Sequence, residues 1–202
     1  MASIDLKKVY KDQYTARAGE PALVTVPARP FLMIDGRGDP GTSPEYSDAV
    51  EALYPLAYGI RAVIKKATGD GYTVLPLEGL WWADDMEAFR ADRKNEWRWT
   101  MMIGLPELAD ADMAADVLPA VVARKGLAAG DRVRFEIFEE GKCAQVMHIG
   151  PYSAEAPTIE LLHEFIADEG LSLGGLHHEI YLGDPRKADP AKLKTIIRQP
   201  VV

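Results

Sequence analysis

A carboxylate and a phenol stand two residues apart in His178-Glu179-Ile180-Tyr181-Leu182. The stretch alternates polar and apolar side chains with the period of a β-strand. Glu179 and Tyr181 therefore share one face, and Ile180 and Leu182 the other. Two readings are open. The acid and the phenol are either ordinary solvated polarity or the chemical end of a pocket. In a pocket, burial raises a carboxyl toward the range of a general acid or base, and a phenol holds the acid, a water or a ligand. His177 and His178 point to opposite faces and make a poor metal pair. Neither HxxxH nor HExxH spacing occurs. The single Cys143 excludes an intramolecular disulfide and a multi-cysteine metal centre. No metal or cofactor is expected.

Other candidates have a bland reading beside a functional one. Trp81, Trp82, Trp97 and Trp99 are the four tryptophans of the chain and fall in two strands expected to be neighbours. They form either a core cluster or flat ligand walls, whose cation–π faces are worth about 0.5–2 kcal/mol each. At least two of them, from Trp81, Trp82 and Trp99, are expected to line a groove. Glu78 occupies the earlier counterpart of the Glu179 strand, which raises the idea of an acid pair; its alternative is an exposed acid before a glycine. Tyr54 and Tyr58 are spaced i, i+4 on a helix, and Tyr54 suits the core or the groove wall equally. His148 precedes Gly150-Pro151-Tyr152; it serves either as a base or as a strand-end histidine bonded to backbone. Tyr152 either lines the groove or braces the turn.

The elements that must position these residues can be read along the chain. Residues 1–20 are polar and read as an extended arm. Ala22–Asp35 is apolar and β-rich. Ser43 and Pro44 suit the cap and first position of a helix, whose apolar spacing runs through Leu53, Ile60 and Ile64 to Gly69. Strands Tyr72–Trp82 and Glu96–Leu105 flank a charged loop, Asp84–Asn95. A helix spans roughly Asp110–Lys125, with a kink expected at Pro119. Arg132–Phe138 and Cys143–Ile149 read as a hairpin around Glu139-Glu140-Gly141-Lys142. Thr158–Glu169 is a helix, His178–Leu182 a strand, Gly183–Lys187 a turn, and Leu193–Val202 a closing segment. The order strand–helix–strand–strand thus occurs twice, as an internal repeat. Two such units imply antiparallel sheets, each covered by its helix, with a groove between the halves, a favoured place for pockets.

Composition limits the functions. The 202 residues are 48% hydrophobic, enough for one sizeable core or two small fused ones. The net charge is −8, without a basic cluster suited to a phosphate backbone. The N-terminus lacks the apolar run of a signal peptide, and no stretch approaches the ~20 apolar residues of a membrane span. A cytoplasmic protein, away from membranes, is expected.

Several segments together resemble one family. Val146-Met-His-Ile-Gly-Pro-Tyr152 is similar to its H-x-G-P-Y turn, and His178-Glu-Ile-Tyr-Leu-Gly-Asp-Pro185 to its E-I-Y-L-x-D-P strand. The segment from Pro190 to Val201 resembles its closing strand. Pro76-Leu-Glu-Gly-Leu-Trp-Trp82 and Trp97-Arg-Trp-Thr-Met-Met-Ile103 resemble a stand-alone branch. The chain resembles, over roughly residues 20–202, the GyrI-like small-molecule-binding domains, which also serve as effector domains of multidrug-sensing regulators of the MerR and AraC classes. The resemblance implies an α+β fold of duplicated β-α-β-β (SHS2-like) units with a central ligand groove. It implies an N-terminal arm over 1–20 and a single domain over 21–202: repeat one at about 21–106, a connecting helix at about 107–127 and repeat two at about 128–202. It further implies binding of bulky hydrophobic, often aromatic and cationic, compounds, with Glu179 as the ligand-facing acid. Some stand-alone members resemble detoxifying hydrolases that open strained cyclopropane rings of DNA-alkylating natural products; there Glu179 would activate water with help from Tyr181. The roughly 20 residues before the first strand are too few for the helix-turn-helix of the regulators, so direct DNA binding is not expected.

Overall fold

Antiparallel strands and covering helices make up each of two units of the structure, a computed structural model that describes residues 3–85, 88, 93–184 and 188–202. The first unit gathers Met1–Leu6, Arg29–Leu75 and Trp81–Phe138; the second gathers Lys7–Ala28, Pro76–Leu80 and Glu139–Val202. Among the described residues no helix is long and apolar enough to cross a membrane.

In the first unit, the short strands β1 (Ser3–Ile4) and β4 (Gly71–Tyr72) pair parallel, and β3 (Arg29–Arg37) is the central strand of the antiparallel set. It pairs antiparallel with β6 (Arg98–Gly104) on one side and β7 (Arg134–Phe138) on the other. Helix α1 (Pro44–Thr68) buries Leu53, Leu56, Ile60 and Ile64, the stripe its periodicity requires. Gly69 ends it in the left-handed conformation, at φ 82°. Ser43 holds the N-cap position but makes no side-chain cap, contrary to expectation. The preceding turn is already tied through Asp39, which accepts from the Gly41 and Ser43 N–H groups. Helix α2 (Ala111–Lys125) runs through Pro119 as one element, and Asp110 caps it by accepting from the Met113 N–H. At Gly36 a side chain is barred outright, because a Cβ would fall 2.1 Å from the Trp99 ring.

In the second unit, β2 (Ala22–Val26), β8 (Gly141–Ile149), β10 (Lys194–Pro200) and β9 (His177–Tyr181) lie in that order, all antiparallel. Leu77–Leu80 of β5 (Leu77–Trp82) flanks β9. Helix α3 (Ala156–Asp168) packs Leu162 and Ile166 on Ala144, Val146, Ile197 and Val201. Alternation and register then divide the remaining side chains. Glu179 sits opposite Ile197 and Tyr181 opposite Thr195, on the face beneath α3; His178 sits opposite Arg198, which sits opposite Gln145, on the other face.

Two expectations are corrected. Residues 1–20 are not simply an extended arm: Leu6–Val9 makes a helical turn, Lys11–Gln13 a 3-10 turn, and Tyr14 is buried. The hairpin over 132–149 does not form. β7 pairs with β3, whereas β8 pairs with β2 and β10. The reason lies at Glu140, read as a turn residue. Its carboxylate is bound by His178 and Arg198, so the chain passes here from the first unit to the second. Part of the Asp84–Asn95 loop, and Pro185–Lys187 of the following turn, lie outside the described residues.

Candidate functional site

Burial alternates along β9, with His178 and Ile180 sealed and His177, Glu179 and Tyr181 partly open. The Glu179 side chain is 15% exposed, and its Oε1 lies 3.1 Å from His177 Nε2. Facing it is Glu155, which immediately precedes α3 and is buried. Burial, and then the Glu179 charge, push the Glu155 carboxyl up to about 9, with the Thr195 hydroxyl acting in the opposite direction. Glu155 therefore keeps its proton near neutral pH. Among the described residues, Glu155 Oε1 and Thr195 Oγ1 are buried without a well-formed hydrogen bond. The Tyr152 and Tyr181 rings meet edge to face beside the pair, 5.6 Å apart at 74°. Burial and the charges of Glu155, Glu179 and Asp184 raise the Tyr152 phenol to about 12, so it keeps its proton.

The opposite face of β9 carries charge of a different kind. Tyr14 donates to Glu78 Oε1 at 2.5 Å, and His178 Nε2 lies 3.1 Å from Glu78 Oε2, off the hydrogen-bond axis. His178 Nδ1 meets Glu140 at 2.8 Å, and Arg198 donates to Glu140 at 2.8 Å and to Gln145 at 3.0 Å. Arg198 also donates to the Gln13 carbonyl, and Gln145 to those of Asp12 and Thr15. Burial alone would raise Glu140, but the charges and hydrogen bonds of His178 and Arg198 outweigh it and hold the carboxyl at about 2. Burial alone would likewise lower His178; Glu140 and Glu78 instead raise it. Two carboxylates, an imidazolium and a guanidinium thus balance.

The sequence candidates separate accordingly. Glu179, Tyr181 and Tyr152 come together. Glu78 is buried on the other face of β9, hydrogen-bonded by Tyr14 and beside His178, rather than paired with Glu179. His148 is buried; its Nε2 lies 3.2 Å from the Pro151 carbonyl oxygen and its Nδ1 2.9 Å from the Thr158 hydroxyl. In the first unit, Trp81 and Trp99 are buried around Tyr46, and Tyr54 is half-buried on α1. Trp82, half-buried, lines a notch of about 380 Å³ with Asp35, Arg37 and Arg98.

Sequence reasoning missed Glu155, His177, Glu140, Arg198 and Tyr14. One had a legible signal: Arg198 is a charge inside an apolar strand. Glu155 had none, since an acid at a helix start reads as favourable to the helix dipole.

The comparisons agree with this architecture. A structure of an uncharacterised conserved protein from Listeria innocua is 38% identical, with a TM-score of 0.90 over 99% of this chain and 100% of that one. Two structures titled as hydrolases, also from Listeria innocua, are 37% and 36% identical, with TM-scores of 0.86 and 0.88; the matches span 99% and 100% of this chain and 100% of each relative. The EcmrR C-terminal domain, 15% identical at a TM-score of 0.57 over 91% of this chain and 97% of that one, shares the fold. No curated protein sequence gives a significant match. The GyrI-like small molecule binding domain model matches residues 19–202, which takes in both faces of β9. With its antiparallel sheets, its helices and this match, the chain belongs to the GyrI-like small-molecule-binding domain family.

Proposed function

We propose that this chain hydrolyses a bulky hydrophobic small molecule at the Glu155–Glu179 pair. The observation that carries the reading is the unequal setting of the pair, Glu155 sealed at 6% exposure and Glu179 more open at 15%. Burial and the Glu179 charge raise Glu155 and leave it the proton an acid needs, the division of labour of acid–base chemistry. For a strained ring, Glu179 takes a proton from water as the water oxygen bonds to a ring carbon. The ring C–C bond breaks, and its electron pair leaves on the other carbon or on a conjugated acceptor. Glu155 protonates that site. The proton gained by Glu179 then returns to Glu155, and the pair is restored. Tyr152 and Tyr181 supply flat walls beside the reacting atoms. Family membership and two relatives titled as hydrolases, matched over their whole length, support this reading.

The test is product formation. Incubated with a cyclopropane-bearing DNA alkylator, the protein should yield the water adduct in catalytic excess, detected by mass. Glu179→Gln should lower turnover by roughly 10²–10⁴-fold, the usual weight of a general base, with binding retained. Full activity in that variant would defeat the assignment. A second reading, sequestration alone, draws on the ring pair beside a carboxylate, an arrangement suited to a cation. It requires stoichiometric protection without adduct, and a Glu179→Gln loss that is larger for cationic than for neutral ligands of equal shape.

A further inference from the structure

Two carboxyls that share a proton are chemically alike, and something must decide which of them is the acid. We propose that His177 decides it, as a positioning residue that holds Glu179 as the base and leaves the proton on Glu155. The inference rests on the hydrolase reading for its consequence in turnover, but not for its geometry.

The contacts are unequal. His177 Nε2 lies 3.1 Å from Glu179 Oε1, and both side chains are largely shielded, at 17% and 15% exposure. An imidazole N–H directed at a carboxylate stabilises the anion, whereas a lone pair at that distance would repel it. The contact therefore places the ring proton on Nε2 whenever Glu179 is ionised. Glu155 is less well served: the Thr195 hydroxyl favours its anion but is outweighed by burial and the Glu179 charge, and its Oε1 lacks a well-formed hydrogen bond among the described residues.

The other groups around Glu179 do not break the tie in the same way. Tyr181 shares its face of β9, and Tyr152, which precedes α3, keeps its own proton. Asp184, beyond β9, acts on Tyr152 and adds negative charge. Across the strand pair stand Ile197 and, opposite Tyr181, Thr195; neither is ionisable. From α3, His163 lies near enough that burial and then the His177 charge lower its basicity. His163 is thus a poor cation, and His177 is the histidine whose ring touches the acid.

The first test needs no substrate. In ligand-free protein carrying ¹³C-labelled glutamate, the side-chain carboxyl signals of Glu155 and Glu179 are followed against pH, in wild type, His177→Leu and His177→Gln. The wild type should show Glu155 as the acid that titrates at higher pH, and an Nε2-protonated His177 by ¹⁵N shift. In His177→Leu the proton should shift toward Glu179, and the difference between the two titrations should shrink or invert. His177→Gln, whose amide can donate from a similar position, should restore the wild-type order. An unchanged order in folded His177→Leu, or a His177 Nε2 without a proton, would overturn the proposal.

The second test uses the cyclopropane-bearing alkylator. The acid limb of the kcat profile should move up by about one pH unit in His177→Leu, the scale of losing one hydrogen bond to a charged group. That shift is roughly a tenfold loss on the acid side, with KM little changed and His177→Gln close to wild type. Equal losses in kcat and KM, or none, would overturn the proposal while leaving the hydrolase reading intact. A wild type that binds the alkylator without turnover would defeat the hydrolase reading, and the carboxyl titrations would then decide the role of His177 alone.

Discussion

The two faces of β9 carry similar groups in opposite conditions. On one, His178 stands between Glu78 and Glu140 with Arg198 beyond, sealed from water and balanced in charge. On the other, Glu155 and Glu179 face one another with a surplus of negative charge and partial access to solvent. Adjacent histidines of one strand serve both. The lesson is that residue type does not assign a role to a buried acid, whereas its balance of partners does. A carboxylate whose charge is matched becomes structure; one whose neighbour is another carboxylate keeps a labile proton.

This contrast can be broken most sharply by removing one acid from each face. Glu140→Gln strands Arg198 and His178 as buried cations and should cost about 3–5 kcal/mol, the scale for breaking a buried pair from one side. Glu155→Gln replaces an already neutral carboxyl by a neutral amide of the same shape and should lie within about 1 kcal/mol of wild type at pH 7. Urea denaturation of both variants decides the matter; comparable losses would erase the distinction.

The pH dependence should separate the faces next. The Glu140 carboxyl is depressed to about 2, so its contribution is present above the ordinary carboxyl range and lost as pH falls from about 4.5 toward 2. Glu155 is raised to about 9, so its contribution is complete at acid pH and fades as pH climbs from about 4.5 toward 9. His178 is also raised, and its share disappears as pH rises through its folded value. Stability should therefore peak in mildly acid solution. Glu155→Gln should flatten the alkaline side, and Glu140→Gln the acid side. In the wild type, turnover should also fall as pH rises past about 9, where Glu155 loses the proton it donates.

The smallest effect is expected at Tyr14. Tyr14→Phe removes one buried hydrogen bond to Glu78 and should cost about 1–2 kcal/mol without altering turnover. A large loss of activity would mean that the two faces are coupled through the strand.

Much of this arrangement was legible in the chain. The period-two pattern of residues 178–182 places Glu179 and Tyr181 on one face, and the alternation of strands and helices along the chain points to antiparallel sheets with covering helices. What escaped had physical causes. Glu140 lies in a charged segment that resembles a hairpin turn, and only contacts distant in sequence reveal it as buried. Glu78 was read as a possible partner for Glu179 because repeat symmetry suggested it; pleating instead turns Glu78 toward His178. The polar composition of residues 1–20 suggested solvent, yet their backbone carbonyls are what Arg198 and Gln145 require.

The span of that last contact has a consequence for assembly. Arg198 and Gln13 are 185 positions apart, and the second unit is drawn from three separate stretches of chain. During synthesis the residues around Tyr14 emerge long before the guanidinium that holds them, which follows 185 positions later. The second unit therefore cannot fold progressively from its beginning. Its closure awaits β10, and the early segment must stay soluble until then, a role for which its lysines and aspartates are suited.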